Sequence, residues 1–241
     1  MKAILLAGGY AKRLNELCKN TPKALLDVNG KPVINYLIDK MEKINDFKEV
    51  YVVTNDTFLD DFNNWAAQYK GNLNIIVCSD GSTCEENKKG AIGAILHVIE
   101  KYNLNDDCFV SATDSYFKNE LYDFIEQFNK NDFDYVMAQK LENKEELKRF
   151  GVVELNENNI IIGMEEKPQN PKSDIVVYAT YLYKKDTLPL FELYKRENQN
   201  MDAPGNFIKW LYQRNNVKAY IVNKEYIDIG TIQSYNYANR K

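Results

Sequence analysis

The stretch LLAGGYAKRLNELCKNTPKALL at Leu5–Leu26 determines how the fold begins. It continues an apolar run that ends at Ala7 and predicts a short buried strand, and Gly8 and Gly9 follow that strand directly. Glycines at such a point let backbone N–H groups approach an anion closely. The stretch also carries four cationic side chains, those of Lys12, Arg13, Lys19 and Lys23. It therefore predicts either an anion-binding loop or a tight turn with solvated charges.

Strand-like and helix-like patterns alternate after this loop. Strands are predicted at Glu49–Asn55, Asn74–Asp80, Cys108–Asp114 and Asp134–Lys140. Helices are predicted at Val33–Ile44, Asp56–Tyr69, Gly90–Tyr102 and Glu120–Lys130. Because such alternation is typical of βαβ units, it predicts an α/β fold with a mostly parallel sheet and helices on both faces. Ligands of such sheets bind beyond the carboxyl ends of the strands, which is where the glycine pair stands.

The pattern changes after Phe150 to short β-rich runs with polar turns. These runs lie at Gly151–Leu155, Ile160–Lys167, Ser173–Lys185 and Lys218–Asn223, and helical patterns interrupt them near residues 188–196 and 206–214. They predict a mixed or antiparallel addition to the first sheet. Because no linker rich in Pro, Gly or Ser separates the two regions, we predict one domain over 1–241, with parts at about 1–140 and about 141–241.

The composition restricts the kinds of partner. The chain has 31 Lys and Arg against 35 Asp and Glu, and this acidic balance disfavours nucleic acid as a partner. The four cysteines form no C-x-x-C pair, which favours reduced thiols in a cytoplasmic protein. The N-terminal apolar run is too short for a secretory signal, and no run approaches a membrane span. We therefore expect a cytoplasmic protein with no membrane partner.

Two aspartates follow apolar strands at distant points of the chain. Asp114 ends the run CFVSATD, and Asp228 stands in EYIDIGT just before a small turn. Two such carboxylates suit Mg²⁺, which takes oxygen ligands and usually keeps waters and phosphate oxygens. The alternative is two unrelated loop aspartates, because only the fold can bring them together.

The segment MEEKP offers a third group of charged residues. Pro168 ends a predicted strand and leaves Glu166 and Lys167 on a stiffened turn. An ordinary pair of charges on an edge strand is the alternative interpretation.

Together these segments resemble the sugar-1-phosphate nucleotidyltransferases, also called NDP-sugar pyrophosphorylases, and are similar to the glucose-1-phosphate thymidylyl- and uridylyltransferases. The signature loop of that family runs approximately L-A-G-G-x-G-[TS]-R-L-x-P-x-T-x-x-x-P-K-x-L-L. This chain matches the loop at Leu6, Ala7, Gly8, Gly9, Arg13, Leu14, Pro22, Lys23, Leu25 and Leu26. Later family motifs follow in order at Arg149–Leu155, Glu165–Ser173 and Asp228–Thr231. The chain departs from the family pattern at Ala11, Lys12, Glu16, Thr113 and Thr180.

The resemblance implies a Rossmann-like, mostly parallel but mixed central sheet with an inserted β-rich sugar-binding region. It implies an enzyme that condenses an NTP with a sugar 1-phosphate to give an NDP-sugar and pyrophosphate, by Mg²⁺-assisted in-line attack on the α-phosphate. The implied nucleotide-binding residues are Ala7, Gly8, Gly9, Asp80 and Gly90. The implied catalytic cations are Arg13, Lys23 and Lys167, the implied sugar-site residues are Gly151, Glu166 and Lys167, and the implied metal ligands are Asp114 and Asp228.

The identity of the substrates stays open at the level of sequence. By analogy we expect a pyrimidine nucleotide, dTTP or UTP, with glucose 1-phosphate. One alternative is transfer to a non-sugar phosphate such as phosphocholine, whose quaternary cation would need aromatic partners, and Tyr178, Tyr181 and Tyr183 are the candidates. Another alternative is a non-catalytic nucleotide-sensing subunit. A homo-oligomer is possible, and the sequence does not determine it.

Overall fold

The computed structural model describes residues 1–9 and 21–240. Its first elements are β1 (Lys2–Leu6), β2 (Asp27–Val28), β3 (Lys31–Pro32), α1 (Val33–Met41), β4 (Glu49–Thr54), α2 (Leu59–Gln68), β5 (Asn74–Ser79), α3 (Gly90–Tyr102), β6 (Cys108–Ala112), β7 (Ser115–Phe117) and α4 (Tyr122–Asn129). They are followed by β8 (Asp134–Lys140), α5 (Lys144–Leu147), β9 (Gly151–Leu155), β10 (Ile161–Glu166), β11 (Ile175–Tyr183), α6 (Pro189–Arg196), α7 (Pro204–Leu211), β12 (Val217–Val222), β13 (Tyr226–Asp228) and α8 (Ile232–Ala238).

These elements belong to two units. The first unit comprises Met1–Lys89, Ser111–Leu121 and Lys224–Lys241, and the second comprises Gly90–Val110 and Tyr122–Asn223. The chain therefore enters each unit more than once. The single domain with parts meeting near residue 140 stays a prediction.

A parallel sheet forms the centre of the first unit. β4 pairs in parallel with β1 on one side and with β5 on the other. The interior strand β4 is buried from Val50 to Thr54, as expected for a parallel strand that is covered on both faces. This arrangement places the residues that follow β1 and β5 at the same edge of the sheet.

A smaller apolar cluster lies elsewhere in the first unit. It combines Leu26, Val28, Val33, Ile227, Ile229 and Ala238, with Tyr36, Tyr116 and Tyr235 packed against it. The hairpin β2–β3, the strand β13 and the helix α8 all contribute to this cluster. Hydrogen bonds reinforce it, since Asn29 Nδ2 donates to Ala238 O at 3.0 Å and Tyr235 Oη donates to Asp27 O at 2.7 Å. The cluster contains both chain neighbours of Asp228, Ile227 and Ile229, and it contains Leu26, three residues after Lys23.

A mixed sheet forms the centre of the second unit. β8, β9, β10 and β11 pair in antiparallel fashion, and β12 adds to β8 in parallel. Aromatic rings of α6 and α7 pack on this sheet, with Phe191 and Phe207 stacked at 3.8 Å between ring centroids. Trp210 packs against Phe207 in the same core.

The α/β prediction with a mixed sheet is confirmed. The predicted strand Asp134–Lys140 and the predicted helix Gly90–Tyr102 have the observed bounds. The last predicted helix is shifted, because α7 begins at Pro204 rather than near residue 206. Proline suits the first helical turn, where its missing N–H has no partner to lose. Across residues 1–9 and 21–240, no helix is long and apolar enough to cross a membrane.

Candidate functional site

Lys23 lies between the two predicted metal-binding carboxylates. Its Nζ is 2.6 Å from Asp114 Oδ2 and 3.5 Å from Asp228 Oδ1. Lys23 opens a short 3-10 helix, Lys23–Leu25, directly after Pro22, and this turn carries its side chain inward. The Lys23 side chain is only 13% exposed, whereas the Asp114 and Asp228 side chains are 41% and 31% exposed. The fold therefore brings together three residues that the sequence singled out separately.

A short antiparallel ladder aligns the two aspartates. β7 and β13 pair so that Asp228 stands opposite Ser115, the neighbour of Asp114. The backbone N–H of Ile229 also donates to Asp114 O at 3.0 Å. Because a hydrogen-bonded ladder fixes the separation of its strands, the two carboxylates are held on a defined backbone frame.

Two hydroxyl groups hold the other side of the Asp114 carboxylate. Ser115 Oγ donates to Asp114 Oδ1 at 3.3 Å, and Tyr226 Oη donates to Ser115 Oγ at 2.6 Å. Asp114 therefore has one oxygen on Lys23 and the other on Ser115. A neighbour that orients a ligating carboxylate in this way supports metal binding without touching the ion. Neither Ser115 nor Tyr226 was predicted from the sequence.

The turn after Asp228 leaves room for its carboxylate. A Cβ on Gly230 would come within 2.8 Å of Asp228 Oδ2. Any side chain at residue 230 would therefore require the carboxylate to move. The glycine of the DIGT motif is thus explained by the space that Asp228 occupies.

The residues after β1 form a separate part of the first unit's candidate site. Ala7 N donates to Val53 O at 2.8 Å, and Asn55 Nδ2 donates to Gly8 O at 3.0 Å, so this backbone is fixed against β4 and its end. Neither Gly8 nor Gly9 has a positive φ. A Cβ on Gly8 would make ordinary contacts, and a Cβ on Gly9 would have no described atom within 4 Å. The packing of the residues that the structure describes therefore does not require glycine here.

Asp80 and Gly90 serve the local structure of two different units. Asp80 is buried, and its Oδ1 accepts hydrogen bonds from Ser82 N at 2.8 Å and from Ser82 Oγ at 2.6 Å. Gly90 has φ +73°, and its Cβ would lie 2.4 Å from Met201 O. Both positions therefore have structural reasons for their residue type, and a role toward the nucleotide stays a prediction for each.

The second unit contains the residues that were predicted to bind the sugar. Gly151 of β9 pairs with Glu166 of β10 across the ladder. A Cβ on Gly151 would be 3.0 Å from Glu166 Oε2, and a Cβ on Gly205 would be 2.6 Å from the same oxygen. Two glycines thus leave the space that this carboxylate occupies. Gly205 was not predicted, because only the packing of α7 on β10 reveals its position.

The Glu166 carboxyl lies in a half-buried environment. Burial raises the pKa of Glu166 above its ordinary value, while Lys167 and Lys209 act in the opposite direction. Lys167 Nζ stands 3.9 Å from Glu166 Oε1, and its side chain is exposed. The two lysines thus offset part of the effect of burial on this carboxyl group.

Lys167 has an uncommon backbone conformation. Its φ is +48°, although residues before a proline normally adopt extended conformations and Pro168 follows. The Lys167 N–H donates to Phe150 O at 3.0 Å, which ties this turn to the residue before Gly151. Such conformations persist only where the surrounding structure holds them, and they concentrate at functional sites.

The remaining predicted residues have different outcomes. Arg13, together with the unusual Ala11, Lys12 and Glu16, lies outside the described residues. Tyr178, Tyr181 and Tyr183, the candidates for binding a quaternary cation, are buried in the core. Tyr178 Oη donates to Gln139 Oε1 at 2.6 Å, and Tyr181 stacks on Tyr183. Their positions give no support to a choline-type acceptor.

The Asp114–Asp228 pair fits a hard divalent cation. The two carboxylates approach one ammonium nitrogen, so their oxygens already converge on a single positive charge. Within the described part of the chain, no group of three or more His, Cys, Asp or Glu residues is placed to hold a metal ion. Mg²⁺ commonly binds through one or two carboxylates and completes its shell with waters and substrate phosphates. The donor set therefore suits Mg²⁺ bound together with a polyphosphate.

The fold and the residues around Lys23 define an α/β protein of the Rossmann-like class. The chain belongs to the nucleotidyl transferase family, whose model matches residues 2–241. The family resemblance inferred from the motifs is thereby confirmed.

Individual relatives are distant in sequence and similar in fold. The chain is 27% identical to D-glycero-alpha-D-manno-heptose 1-phosphate guanylyltransferase of Campylobacter jejuni, over 98% of this chain and 97% of that protein. It is 27% identical to the bifunctional protein GlmU of Methanocaldococcus jannaschii, over 95% of this chain and 51% of that protein. The UDP-glucose pyrophosphorylase of Acinetobacter baumannii superposes with a TM-score of 0.79 at 19% identity, covering 99% of this chain and 91% of that one.

The lengths of these relatives restrict what can be transferred. The chain spans 51% of GlmU and 61% of a mannose-1-phosphate guanyltransferase relative from Sulfolobus acidocaldarius, which is about half to three-fifths of their lengths. The relatives also act on different nucleotides according to their names, which include guanylyl and UDP compounds. Family membership thus defines the class of chemistry, and the substrates have to be argued from the residues.

Proposed function

We propose that this protein condenses a nucleoside triphosphate with a sugar 1-phosphate and releases an NDP-sugar and pyrophosphate. The observation that carries the proposal is the position of Lys23 Nζ, 2.6 Å from Asp114 and 3.5 Å from Asp228. Two carboxylates are suited to hold a metal ion, and one ammonium is suited to neutralise phosphate charge, during transfer of a nucleotidyl group. The reaction requires no covalent intermediate on the protein, so positioning and charge neutralisation are the whole task.

Asp114 and Asp228 are the residues that would hold Mg²⁺. When bound, the ion withdraws charge from phosphate oxygens and orients the polyphosphate. Ser115 keeps Asp114 oriented through its hydrogen bond to Oδ1, and Gly230 leaves the space that the Asp228 carboxylate fills. The first unit thus supplies both ligands and their immediate supports.

The backbone after β1 is proposed to bind the nucleotide. The main chain at Gly8 is fixed by Asn55, and the space beside Gly9 holds no described side chain. Because the described neighbours do not require glycine at these positions, close approach of a phosphate or ribose is the reason we assign to them. Lys23 and Arg13 are proposed to neutralise the triphosphate and the departing pyrophosphate, and Ala7, Asp80 and Gly90 to contact the rest of the nucleotide.

Glu166, Lys167 and Gly151 are proposed to bind the sugar 1-phosphate. Glu166 would accept hydrogen bonds from sugar hydroxyls, for which a carboxylate flanked by two glycines is well suited. Lys167 would neutralise the phosphate, and its fixed left-handed backbone presents an exposed ammonium. Burial raises the pKa of Glu166, and the nearby Lys167 and Lys209 act against this rise.

We further propose a pyrimidine nucleotide, dTTP or UTP, as the donor and glucose 1-phosphate as the acceptor. The support is the motif pattern, which is similar to that of thymidylyl- and uridylyltransferases. A fold shared with a UDP-glucose pyrophosphorylase is compatible with it. A guanylyltransferase relative competes with it, because bases differ by only one or two hydrogen bonds.

Turnover with defined substrates tests the proposal. The protein is incubated with Mg²⁺, each of the common NTPs and a panel of sugar 1-phosphates, and both pyrophosphate and the NDP-sugar are measured. We expect both products to appear in equal amounts for at least one pair. Phosphocholine is included in the panel as the competing acceptor. Binding of NTP without any product would instead favour a nucleotide-sensing subunit.

A further inference from the structure

Lys23 is more deeply buried than either of its carboxylate partners. Its side chain is 13% exposed, and its Nζ contacts Asp114 Oδ2 at 2.6 Å and Asp228 Oδ1 at 3.5 Å. An ammonium so placed offers its three donors to the oxygens that a divalent cation would bind. The positive charge of Lys23 therefore lies where a metal ion bound to both carboxylates would place its own charge.

A metal ion on both carboxylates would be in direct competition with this ammonium. A divalent cation that shares the two carboxylates comes within a few ångströms of Nζ, and like charges at that distance repel strongly in a partly buried site. The lysine would have to leave its partners, and a free metal ion brings no anion to replace them. An ammonium that stays largely buried after it loses its anionic partners costs free energy.

We propose that Lys23 is an internal counter-cation that keeps a free divalent metal ion off the Asp114–Asp228 pair and yields the pair only to a metal ion that arrives with a polyphosphate. The inference rests on the proposed function for the identity of that polyphosphate. A nucleoside triphosphate supplies the anionic oxygens to which the displaced ammonium transfers. Lys23 thus exchanges two carboxylates for phosphate oxygens, and the charge of the site stays balanced at each stage.

This exchange makes the binding of metal and nucleotide cooperative. If nucleotide raises the affinity for the metal, the metal must raise the affinity for nucleotide by the same factor. Neutralising Lys23 removes the competition in the free protein. The variant Lys23→Gln should therefore bind metal more tightly than the natural protein when nucleotide is absent.

Mn²⁺ binding to the whole protein, measured by electron paramagnetic resonance without nucleotide, provides the test. We expect K23Q and K23M to bind Mn²⁺ at least about tenfold more tightly than the natural protein. K23R keeps the positive charge and should bind Mn²⁺ as weakly as the natural protein. The matched control is K2M, because Lys2 is also largely buried, at 18% exposed, and pairs with Glu49 at 2.7 Å.

Melting temperatures with and without Mn²⁺ give a second measurement. Loss of Lys23 removes the ammonium that contacts both carboxylates, so K23Q should be stabilised by Mn²⁺ more than the natural protein is. The amide of Gln retains a donor for Asp114, which favours folding of this variant. Equal Mn²⁺ affinity and equal stabilisation in K23Q and the natural protein would overturn the inference.

The outcome separates this inference from the proposed reaction. Tighter Mn²⁺ binding by K23Q without any nucleotidyl transfer in the natural protein would support the counter-cation and reject the reaction. Nucleotidyl transfer by the natural protein, together with an unchanged Mn²⁺ affinity in K23Q, would support the reaction and reject the counter-cation.

Discussion

Gly205 lies directly against the carboxylate of Glu166: a Cβ at residue 205 would stand 2.6 Å from Glu166 Oε2. The variant Gly205→Ala should therefore displace this carboxylate from the place where we propose that it binds sugar hydroxyls. We expect the KM for sugar 1-phosphate to rise about tenfold while the KM for nucleotide changes less than about twofold. Steady-state kinetics with each substrate varied in turn provides the measurement.

Gly163→Ala is the matched control for that variant. A Cβ at residue 163 would come within 2.8 Å of Glu154 Oε1, but Glu154 is an exposed residue whose side chain is free to move aside. The steady-state kinetics of G163A should equal those of the natural protein. An unchanged KM for sugar 1-phosphate in G205A would argue that Glu166 does not contact the sugar.

Asp114→Asn and Asp228→Asn should each lower kcat by about 100-fold or more, because each removes one of the two carboxylates available to the metal. Thermal unfolding followed by circular dichroism should show that both variants still fold. Asp39→Asn is the control, since Asp39 forms an ion pair with Lys31 in the same unit and has no proposed role. Normal turnover in either variant would remove that residue from the metal site.

Tyr226→Phe tests the hydroxyl chain that orients Asp114. Loss of the hydrogen bond to Ser115 should weaken the apparent affinity for Mg²⁺ by about tenfold, with kcat recovered at saturating Mg²⁺. A Mg²⁺ titration of the initial rate measures both quantities. Tyr237→Phe, which removes a hydroxyl bonded to Glu225 on the surface, should leave the titration unchanged. Equal Mg²⁺ titrations for Y226F and the natural protein would show that Asp114 needs no such support.

We expect the main effect of Gly90→Ala to be a loss of stability of the folded protein. The new Cβ would lie 2.4 Å from Met201 O at a backbone φ of +73°. We expect the free energy of unfolding to fall by about 1 to 3 kcal/mol, as judged by urea denaturation. Gly81→Ala is the comparison, because Gly81 has a similar φ of +82° with no described atom near its Cβ. If G90A loses nucleotide affinity but no stability, Gly90 serves the nucleotide instead.

Asp134 makes stability depend on pH. It is buried, with Oδ1 accepting from Lys184 N and Oδ2 from Thr187 Oγ1, and burial raises its pKa to about 6. An aspartate in the unfolded chain has a pKa of about 3.9, as in model peptides. The folded state therefore binds more protons between these pH values. The stabilisation associated with Asp134 is fully present below about pH 4 and is lost as the pH rises through about 6.

Asp134→Asn should remove this dependence. As the pH rises from about 4 to about 7, the free energy of unfolding of D134N should increase by about 2 kcal/mol relative to that of the natural protein. Urea denaturation at a series of pH values measures the difference. Asp123→Asn, an exposed position of the same unit, should run parallel to the natural protein. A difference between D134N and the natural protein that stays constant with pH would contradict the assignment.

The sequence singled out the three charged residues that the fold brings together at the candidate site, but it did not single out the residues that support them. Asp114 and Asp228 were identifiable because each follows an apolar run, and Lys23 because it is one of the cations of the loop that Gly8 and Gly9 open. Ser115 and Tyr226 were not, since β7 and β13 are three residues long and too short to show a periodic pattern. Their pairing depends on segments from distant parts of the chain.

A similar limit applies in the second unit. Glu166 and Gly151 were predicted from motifs, whereas Gly205 carries no motif. Its closeness to Glu166 arises from the packing of α7 on β10, which is a tertiary contact that local propensity does not encode. The tyrosines of β11 show the converse, because strand alternation alone did not tell whether Tyr181 faces a ligand or the core.

The order in which the first unit is built has a consequence for protein synthesis. This unit takes its segments from three separate parts of the chain, and the last of them begins at Lys224. When Asp114 has just emerged from the ribosome, only one of the two carboxylates that contact Lys23 has been synthesised. The second partner, together with the strand and helix that hold it, is translated only after the entire second unit. Products of premature termination within the second unit would therefore lack the carboxylate pair of Asp114 and Asp228.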